Sequence, residues 1–254
     1  MEPVYTPVIG SVLAGFRAMS WDLRFTGVEH IPATGGGVIA TNHVGYLDFT
    51  FVGAAARQQN KRLLRFLAKQ EIFDHRLGGP LMRGMKHIAV DRAGHAADSL
   101  RHAEQALRDG ELIGMFPEST INLSFVPLKG KTGAARMALD TGTPLIPGAV
   151  WGSQRLWTKD RPRDLRRNVV ITVDFGPPID TSPGRDPGEV TAELMVAIES
   201  LVDRAQRNYP TKPEGGERWW LPAHLGGTAP TLQEAQEMAA KAAAERRARH
   251  EAKQ

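Results

Sequence analysis

His43 and Asp48 combine residue types and a spacing that could move a proton. They stand five residues apart, between an apolar run that predicts a strand and one that predicts a buried helix. A carboxylate that binds one imidazole nitrogen fixes the tautomer, so the other nitrogen can take a proton from a hydroxyl. The competing interpretation is a surface histidine beside an aspartate that caps the helix, because Asp is a common N-cap residue.

A second polar segment, residues 85–92, could bind phosphate. Asp91 and Arg92 follow a predicted strand, and Lys86 precedes it. Arginine has a planar fork of donors that suits phosphate oxygens. A routine Asp–Arg surface pair is the alternative interpretation.

A third polar segment, Glu118, Ser119 and Thr120, follows Pro117 at the end of another buried strand, where it could also be only a loop. Nearby, Lys131 begins a predicted helix, a position suited to binding anions. The run 129–132, Lys-Gly-Lys-Thr, is similar to the close of a P-loop, but the first glycine of that motif would have to be residue 125, which is phenylalanine.

Several classes of chemistry are excluded by the sequence. The chain has no cysteine, which excludes disulfides, cysteine–zinc sites, iron–sulfur clusters and a thiol nucleophile. It also has no Gly-x-Ser-x-Gly elbow and no His-Glu-x-x-His or His-x-His pair, so neither a serine hydrolase nor a metal site is expected. The net charge of +4 and the pI near 9.5 suit a phosphate-bearing partner without choosing one.

The elements that must position these residues alternate between apolar strands and amphipathic helices. This order predicts a single α/β domain with a mostly parallel central sheet flanked by helices. Ligands bind at the carboxyl ends of the strands in such sheets, where the polar segments fall. The predicted strands cover residues 38–40, 65–68, 87–90, 112–116, 145–150 and 169–175, and the predicted helices cover 49–57, 100–107, 131–140 and 190–205.

The two ends of the chain differ from this centre. Apolar residues recur at helical spacing over residues 8–25, which predicts a helix that either covers the core or lies in a membrane interface. Residues 211–230 are rich in proline and glycine, and residues 231–254 are rich in Ala, Glu and Arg, as in a solvated, partly helical tail. We therefore divide the chain into an N-terminal membrane-interacting helix at 1–27, a domain at 28–210, and a Pro/Gly-rich extension with a charged, partly disordered tail at 211–254.

The order of the polar segments resembles that of the glycerolipid acyltransferase family over roughly residues 28–180. The third block departs from the family pattern, Glu-Gly-Thr followed by Arg, because Ile121 and Asn122 follow Glu118-Ser119-Thr120. The blocks that carry the resemblance are Asn42-His43 with Asp48, then Val90-Asp91-Arg92, then Phe-Pro-Glu-Ser-Thr at 116–120, then Pro-Leu-Ile-Pro at 144–147, with Phe-Gly-Pro-Pro-Ile at 175–179 near the end.

The resemblance implies transfer of a fatty acyl group from acyl-CoA or an acyl-carrier protein to a lysophospholipid hydroxyl, with 1-acylglycerol-3-phosphate as the expected acceptor. No cofactor or metal is implied. The implied roles are His43 as general base, Asp48 as its orienting partner, Arg92 as the phosphate ligand with Lys131 and Lys86 as weaker candidates, Glu118, Ser119 and Thr120 as lining of the acceptor site, and Pro147 as a shaping residue of the acyl or thioester region.

These substrates imply a peripheral enzyme on the cytoplasmic face of the cell membrane, held by an anionic surface. Two alternatives stay open. One is acylation of another lipid or glycolipid hydroxyl, because the third block is atypical. The other is a nucleic-acid-binding protein without catalysis, which would use the basic segment 155–167. Trp157 is the one aromatic residue of that segment, so base stacking is poorly supported and no nucleic acid is expected as a partner.

Overall fold

The computed structural model describes residues 2–76, 78–90 and 96–251, and it contains a central sheet of seven strands. All six predicted strands are present within one residue or two of the expected bounds. The strands are β1 (Asp22–Thr26), β2 (Gly37–Thr41), β3 (Leu64–Lys69), β4 (Ile88–Val90), β5 (Leu112–Met115), β6 (Leu145–Trp151) and β7 (Val170–Phe175).

The sheet has the order β1-β7-β6-β2-β5-β3-β4. Five strands, from β6 through β4 in that order, run parallel to one another, and β7 pairs antiparallel with β6. The predicted α/β class with a mostly parallel sheet is confirmed. As a result, the carboxyl ends of β2, β3, β4, β5 and β6 all lie at one common edge of the sheet, which is the edge formed by the strand ends.

Helices cover both faces of this sheet. They are α1 (Tyr5–Ala18), α2 (Asp48–Ala56), α3 (Gln70–Asp74), α4 (Gly78–Gly84), α5 (Ala96–Arg108), α6 (Gly133–Thr141), α7 (Pro187–Arg207) and α8 (Leu232–Glu251). Alternation along β2 shows the two layers: Ile39 packs on the side of α1 and α2, whereas Val38 and Ala40 pack against α5, α6 and α7. Successive side chains of this buried strand point to opposite faces of the sheet, so β2 contributes to the core on each face.

The predicted helix over residues 8–25 is wrong in its second half. The helix α1 ends at Ala18, and Asp22–Thr26 forms the edge strand β1, paired parallel with β7. A Schellman motif ends the helix: the Trp21 N–H donates to Phe16 O (3.1 Å) and the Ser20 N–H donates to Arg17 O (2.9 Å). Ser20 holds the left-handed conformation (φ 55°) usually taken by glycine, so the sequence carried no stop signal.

The region after residue 210 contacts the rest of the domain. Trp220 is buried in the core and packs edge-on against Tyr209. The helix α8 begins with a capping box: the Thr231 N–H donates to the Glu234 carboxylate, and the Glu234 N–H donates to the Thr231 hydroxyl. The segment that follows residue 210 therefore contributes to the packing of the domain.

Candidate active site

His43 and Asp48 meet at the common edge of the sheet. His43 follows β2, Asp48 is the first residue of α2, and His43 Nδ1 lies 2.9 Å from Asp48 Oδ2. Because a carboxylate can only accept, Nδ1 carries the proton and Nε2 is the basic nitrogen. The His43 side chain is 19% exposed while that of Asp48 is fully buried. The arrangement can remove a proton from a hydroxyl that approaches from the solvent side.

Asp48 does not cap the helix as predicted, since Leu47 is the N-cap residue. The carboxylate instead turns back toward the preceding loop. Its Oδ2 accepts from the N–H groups of Val44 (2.8 Å) and Gly45 (2.9 Å), and its Oδ1 accepts from the Ser153 hydroxyl. These donors and the positive end of the α2 dipole stabilise the buried negative charge.

Asn42 joins the end of β2 to β6. Its side-chain amide donates to Val150 O (3.1 Å), and its Oδ1 accepts from the Val150 N–H (2.7 Å). The side chain therefore continues the strand pairing by one residue and holds His43 in place. The sequence alone assigns no role to Asn42; its one signal is an amide residue directly after an apolar strand.

Glu118 is buried and binds protein groups with both of its oxygens. Oε1 accepts from the His43 N–H (3.1 Å), and Oε2 accepts from the Leu128 N–H (2.9 Å) and the Asn122 side chain (3.1 Å). Burial raises the pKa of this carboxyl to about 7, although the hydrogen bonds oppose the shift. Asn122, which stands one position beyond the family's arginine, thus joins Glu118 in fixing the backbone of His43.

Phe116, which directly follows β5, packs flat against the His43 ring. The two ring centroids are 4.0 Å apart and the planes differ by 12°. Phe66 of β3 also stacks against the Phe116 ring, with centroids 5.9 Å apart. These aromatic contacts leave the imidazole little freedom to turn. The sequence gives no local signal for them, because the three residues are far apart in the chain.

Ser119 and Thr120 belong to the turn that follows Phe116. The Ser119 N–H donates to Phe116 O (2.9 Å), and Ser119 has a left-handed backbone with φ 58°. Glycine adopts this conformation without steric cost, which explains why the family pattern has glycine here. Thr120 is half-buried in the same turn.

Three further predicted site residues are Arg92, Lys131 and Pro147. Arg92, with its neighbour Asp91, lies outside the described residues. Lys131 is exposed, and its N–H donates to Pro117 O (3.0 Å), so it stays beside the Glu118 turn, two residues before α6 begins. Pro147 is buried within β6, in register with Ala40.

Lys86 is on the wrong edge for a phosphate ligand. It precedes β4, whereas His43 follows the parallel strand β2, so the two residues lie at opposite edges of the sheet. Its ammonium pairs with Glu2 at 3.2 Å. We therefore do not assign Lys86 to the acceptor, and Lys86→Ala tests this prediction.

Two features are absent from the described residues, a metal-binding cluster and a membrane-spanning helix. No group of three or more His, Asp or Glu side chains is placed to hold a metal ion in the ranges that the structure describes. Within the same ranges, no helix combines the length and the apolar character needed to span a bilayer.

The chain is similar to several known proteins. The Acyltransferase family profile matches residues 22–151. A 1-acyl-sn-glycerol-3-phosphate acyltransferase of Bacillus subtilis (strain 168) is 32% identical over 150 residues, which cover 58% of this chain and 73% of that protein. The enzyme of the same name from Limnanthes douglasii is 29% identical over 181 residues, which cover 70% of this chain and 61% of that protein.

A solved structure has the same fold. The 1-acyl-sn-glycerophosphate acyltransferase of Thermotoga maritima superposes with a TM-score of 0.67 at 20% identity, covering 81% of each chain. The family match includes His43, Asp48 and the Glu118 turn, so it spans the cluster described above. The chain belongs to the acyltransferase family, as its ordered sequence blocks predicted.

Proposed function

We propose that this acyltransferase transfers a fatty acyl group from an acyl thioester to the hydroxyl of 1-acylglycerol-3-phosphate, giving phosphatidic acid. The observation that supports the proposal most is the contact between His43 Nδ1 and the buried carboxylate of Asp48, which leaves Nε2 basic and partly exposed. Relatives named for this reaction support the choice of acceptor.

In the proposed mechanism, His43 Nε2 takes the proton of the acceptor hydroxyl as its oxygen attacks the thioester carbonyl. The carbon–sulfur bond then breaks, and the imidazolium returns the proton to the leaving thiolate. Asp48 stabilises the transient positive charge on His43. The step balances without an acyl-enzyme, a metal or a cofactor, and the donor thiol can belong to CoA or to an acyl-carrier protein.

For acceptor binding, we assign Arg92 to the phosphate, with Lys131 as a second cation beside the Glu118 turn. Ser119 and Thr120 line the same side, on the turn that follows Phe116. The oxygens of Glu118 already bind protein donors, so we assign Glu118 to ordering this wall of the acceptor site. Pro147 shapes the acyl or thioester region from within β6.

The acceptor is tested by mass spectrometry of the lipids formed from a labelled acyl-CoA and a mixture of lysophospholipids and glycolipids. We expect labelled phosphatidic acid as the main product. Label on another hydroxyl would support the alternative acceptor. Release of free thiol should require both substrates, whereas a nucleic-acid-binding protein without catalysis would release none.

We also propose a peripheral attachment to an anionic membrane, but through a different surface from the expected one. In α1, Tyr5, Ile9 and Phe16 are buried, and Val8, Val12 and Leu13 are half-buried against the core, so this helix offers lipid little apolar surface. In contrast, Tyr46 and Phe49, beside His43, are 43% and 40% exposed.

A basic loop adjoins these exposed rings. Trp157 packs against Tyr46 with centroids 4.9 Å apart, and Arg163 lies over the Trp157 ring at 5.5 Å. Arg161, in the same loop, lies over the ring of Trp219 at 4.1 Å. Aromatic rings and cations together suit the headgroup region, where each cation near an anionic surface contributes about 1 kcal/mol. Binding through this surface would bring the solvent-exposed side of the His43 ring to the membrane.

Vesicle sedimentation tests this surface. Changing Arg161→Gln together with Arg163→Gln should weaken binding to phosphatidylglycerol vesicles about 30-fold, since two cations contribute about 2 kcal/mol. Changing Arg101→Gln together with Arg108→Gln on α5 removes the same charge and should have little effect. Equal losses for the two pairs would mean that only net charge matters, and the assigned surface would be wrong.

A further inference from the structure

Ser153 contacts the proposed catalytic pair from a distant part of the chain. It lies in the 3₁₀ turn Ser153–Arg155 that follows β6, at the same edge of the sheet as His43. Its side chain is fully buried, and its hydroxyl donates to Asp48 Oδ1. None of the sequence blocks assigns a role to this residue.

The position of Ser153 is fixed by its neighbours. Gly152 has φ 95°, and a Cβ there would lie 2.2 Å from Val170 O, so only glycine fits. The Gly152 N–H donates to the Gln154 side chain (2.8 Å), and that side chain donates to Trp220 O (3.2 Å). The hydroxyl of Ser153 is therefore held by a rigid turn.

The same segment also grips the loop that carries His43. The Thr158 hydroxyl donates to Val44 O (2.6 Å), and the Tyr46 N–H donates to Trp157 O (2.9 Å). These two contacts bind backbone groups. Of the contacts between the two segments, the one made by Ser153 reaches the carboxylate itself.

We propose that Ser153 is a positioning residue for acyl transfer, which keeps the buried Asp48 carboxylate aimed at His43 Nδ1. The inference rests on the proposed function of the pair. A buried carboxylate is stabilised by hydrogen-bond donors to its oxygens. Oδ2 has three such donors, whereas Oδ1 relies on the hydroxyl of Ser153. Loss of this donor would weaken the stabilisation of the imidazolium.

Kinetics of Ser153→Ala, compared with Thr158→Val, test this role. Each variant removes one buried hydroxyl that binds the 43–48 region, but only the first removes a bond to Asp48. We expect kcat to fall about 10- to 100-fold in Ser153→Ala, as is typical for a lost hydrogen bond to a charged group, with the KM of both substrates within about twofold. In Thr158→Val, we expect kcat within about threefold of wild type. Equal losses of kcat in the two variants, or an unchanged kcat in Ser153→Ala, would overturn the proposal.

Proton NMR of protein with ¹⁵N-labelled histidine tests the contact without turnover. The Nδ1 proton of His43, assigned by its loss in His43→Ala, should move in Ser153→Ala and stay in place in Thr158→Val. An unmoved signal in Ser153→Ala would overturn the proposal. If Ser153→Ala does not fold, Ser153→Cys, which keeps the size and offers a weaker donor, carries the same two measurements. If His43→Ala retains activity while the signal moves in Ser153→Ala, the proposed function fails and the contact alone stands.

Discussion

Replacing Asp48 by asparagine removes the charge of the proposed pair while leaving its geometry in place. Oδ2 faces three donors, from His43, Val44 and Gly45, so the amide oxygen of asparagine must take that position. The amide nitrogen then faces the Ser153 hydroxyl, which can rotate to accept. We therefore expect Asp48→Asn to fold normally.

The expected loss of rate follows from the distance between the two groups. Nδ1 and Oδ2 are 2.9 Å apart, and opposite charges at about 4 Å attract by about 4 kcal/mol at an effective dielectric constant of 20. The positive charge on His43 exists only during the reaction, so this attraction lowers the barrier rather than binding the ground state. Because each 1.36 kcal/mol is tenfold in rate, kcat should fall about 10³-fold.

The assay is the rate of thiol release from acyl-CoA with saturating lysophosphatidic acid, alongside a melting curve. Asp203→Asn, which removes a surface carboxylate paired with Arg207, is the matched control and should keep the wild-type rate. If Asp48→Asn retained more than a tenth of the wild-type kcat, or lost activity only in proportion to unfolded protein, the electrostatic reasoning would be refuted.

Three further predictions concern residues outside the pair. Burial lowers the pKa of His87 from 6.5 to about 4, so the stability that its neutral form contributes above pH 6.5 is lost as the pH falls toward 4. Between pH 7 and pH 5, the free energy of unfolding in urea should fall by about 2 kcal/mol more in the wild type than in His87→Gln. The glutamine can still accept from the Phe66 N–H. Gly152→Ala should destabilise the fold by about 3 kcal/mol or more in the same assay, because of its positive φ and the carbonyl 2.2 Å from the new Cβ, and an unchanged midpoint would contradict the structure. Lys86→Ala should leave the acceptor KM unchanged, and a rise would contradict the place of Lys86 at the opposite edge. Arg92→Lys should raise the acceptor KM and leave the donor KM unchanged, since lysine lacks the bidentate fork.

Much of the fold could be predicted from local patterns. The strands β2, β5 and β6 are short apolar runs followed by polar residues. The helix α5 ends at Arg108, two residues before Gly110, whose φ of 88° favours glycine. The pair His43–Asp48 was predictable for the same reason, since both residues lie within one loop and one helix start.

What the sequence did not reveal depends on contacts between distant residues or on unusual backbone. Ser153 is 105 positions from Asp48 and Asn42 is 108 positions from Val150, so no local spacing signals either hydrogen bond. The strand β1 was missed because Ser20, rather than glycine, ends the preceding helix in a left-handed conformation. The apolar residues after it, which alternate along β1, were then assigned to that helix.

The role of His43 is the central claim, and single-turnover acyl transfer by His43→Ala tests it most directly. The variant would be mixed in excess with labelled acyl-CoA and lysophosphatidic acid, and labelled phosphatidic acid would be followed by mass spectrometry. General-base catalysis contributes about 10²- to 10⁴-fold, so we predict a loss of at least 10²-fold with an unchanged melting temperature. A folded His43→Ala variant that transfers the acyl group within a few-fold of the wild-type rate would contradict the account.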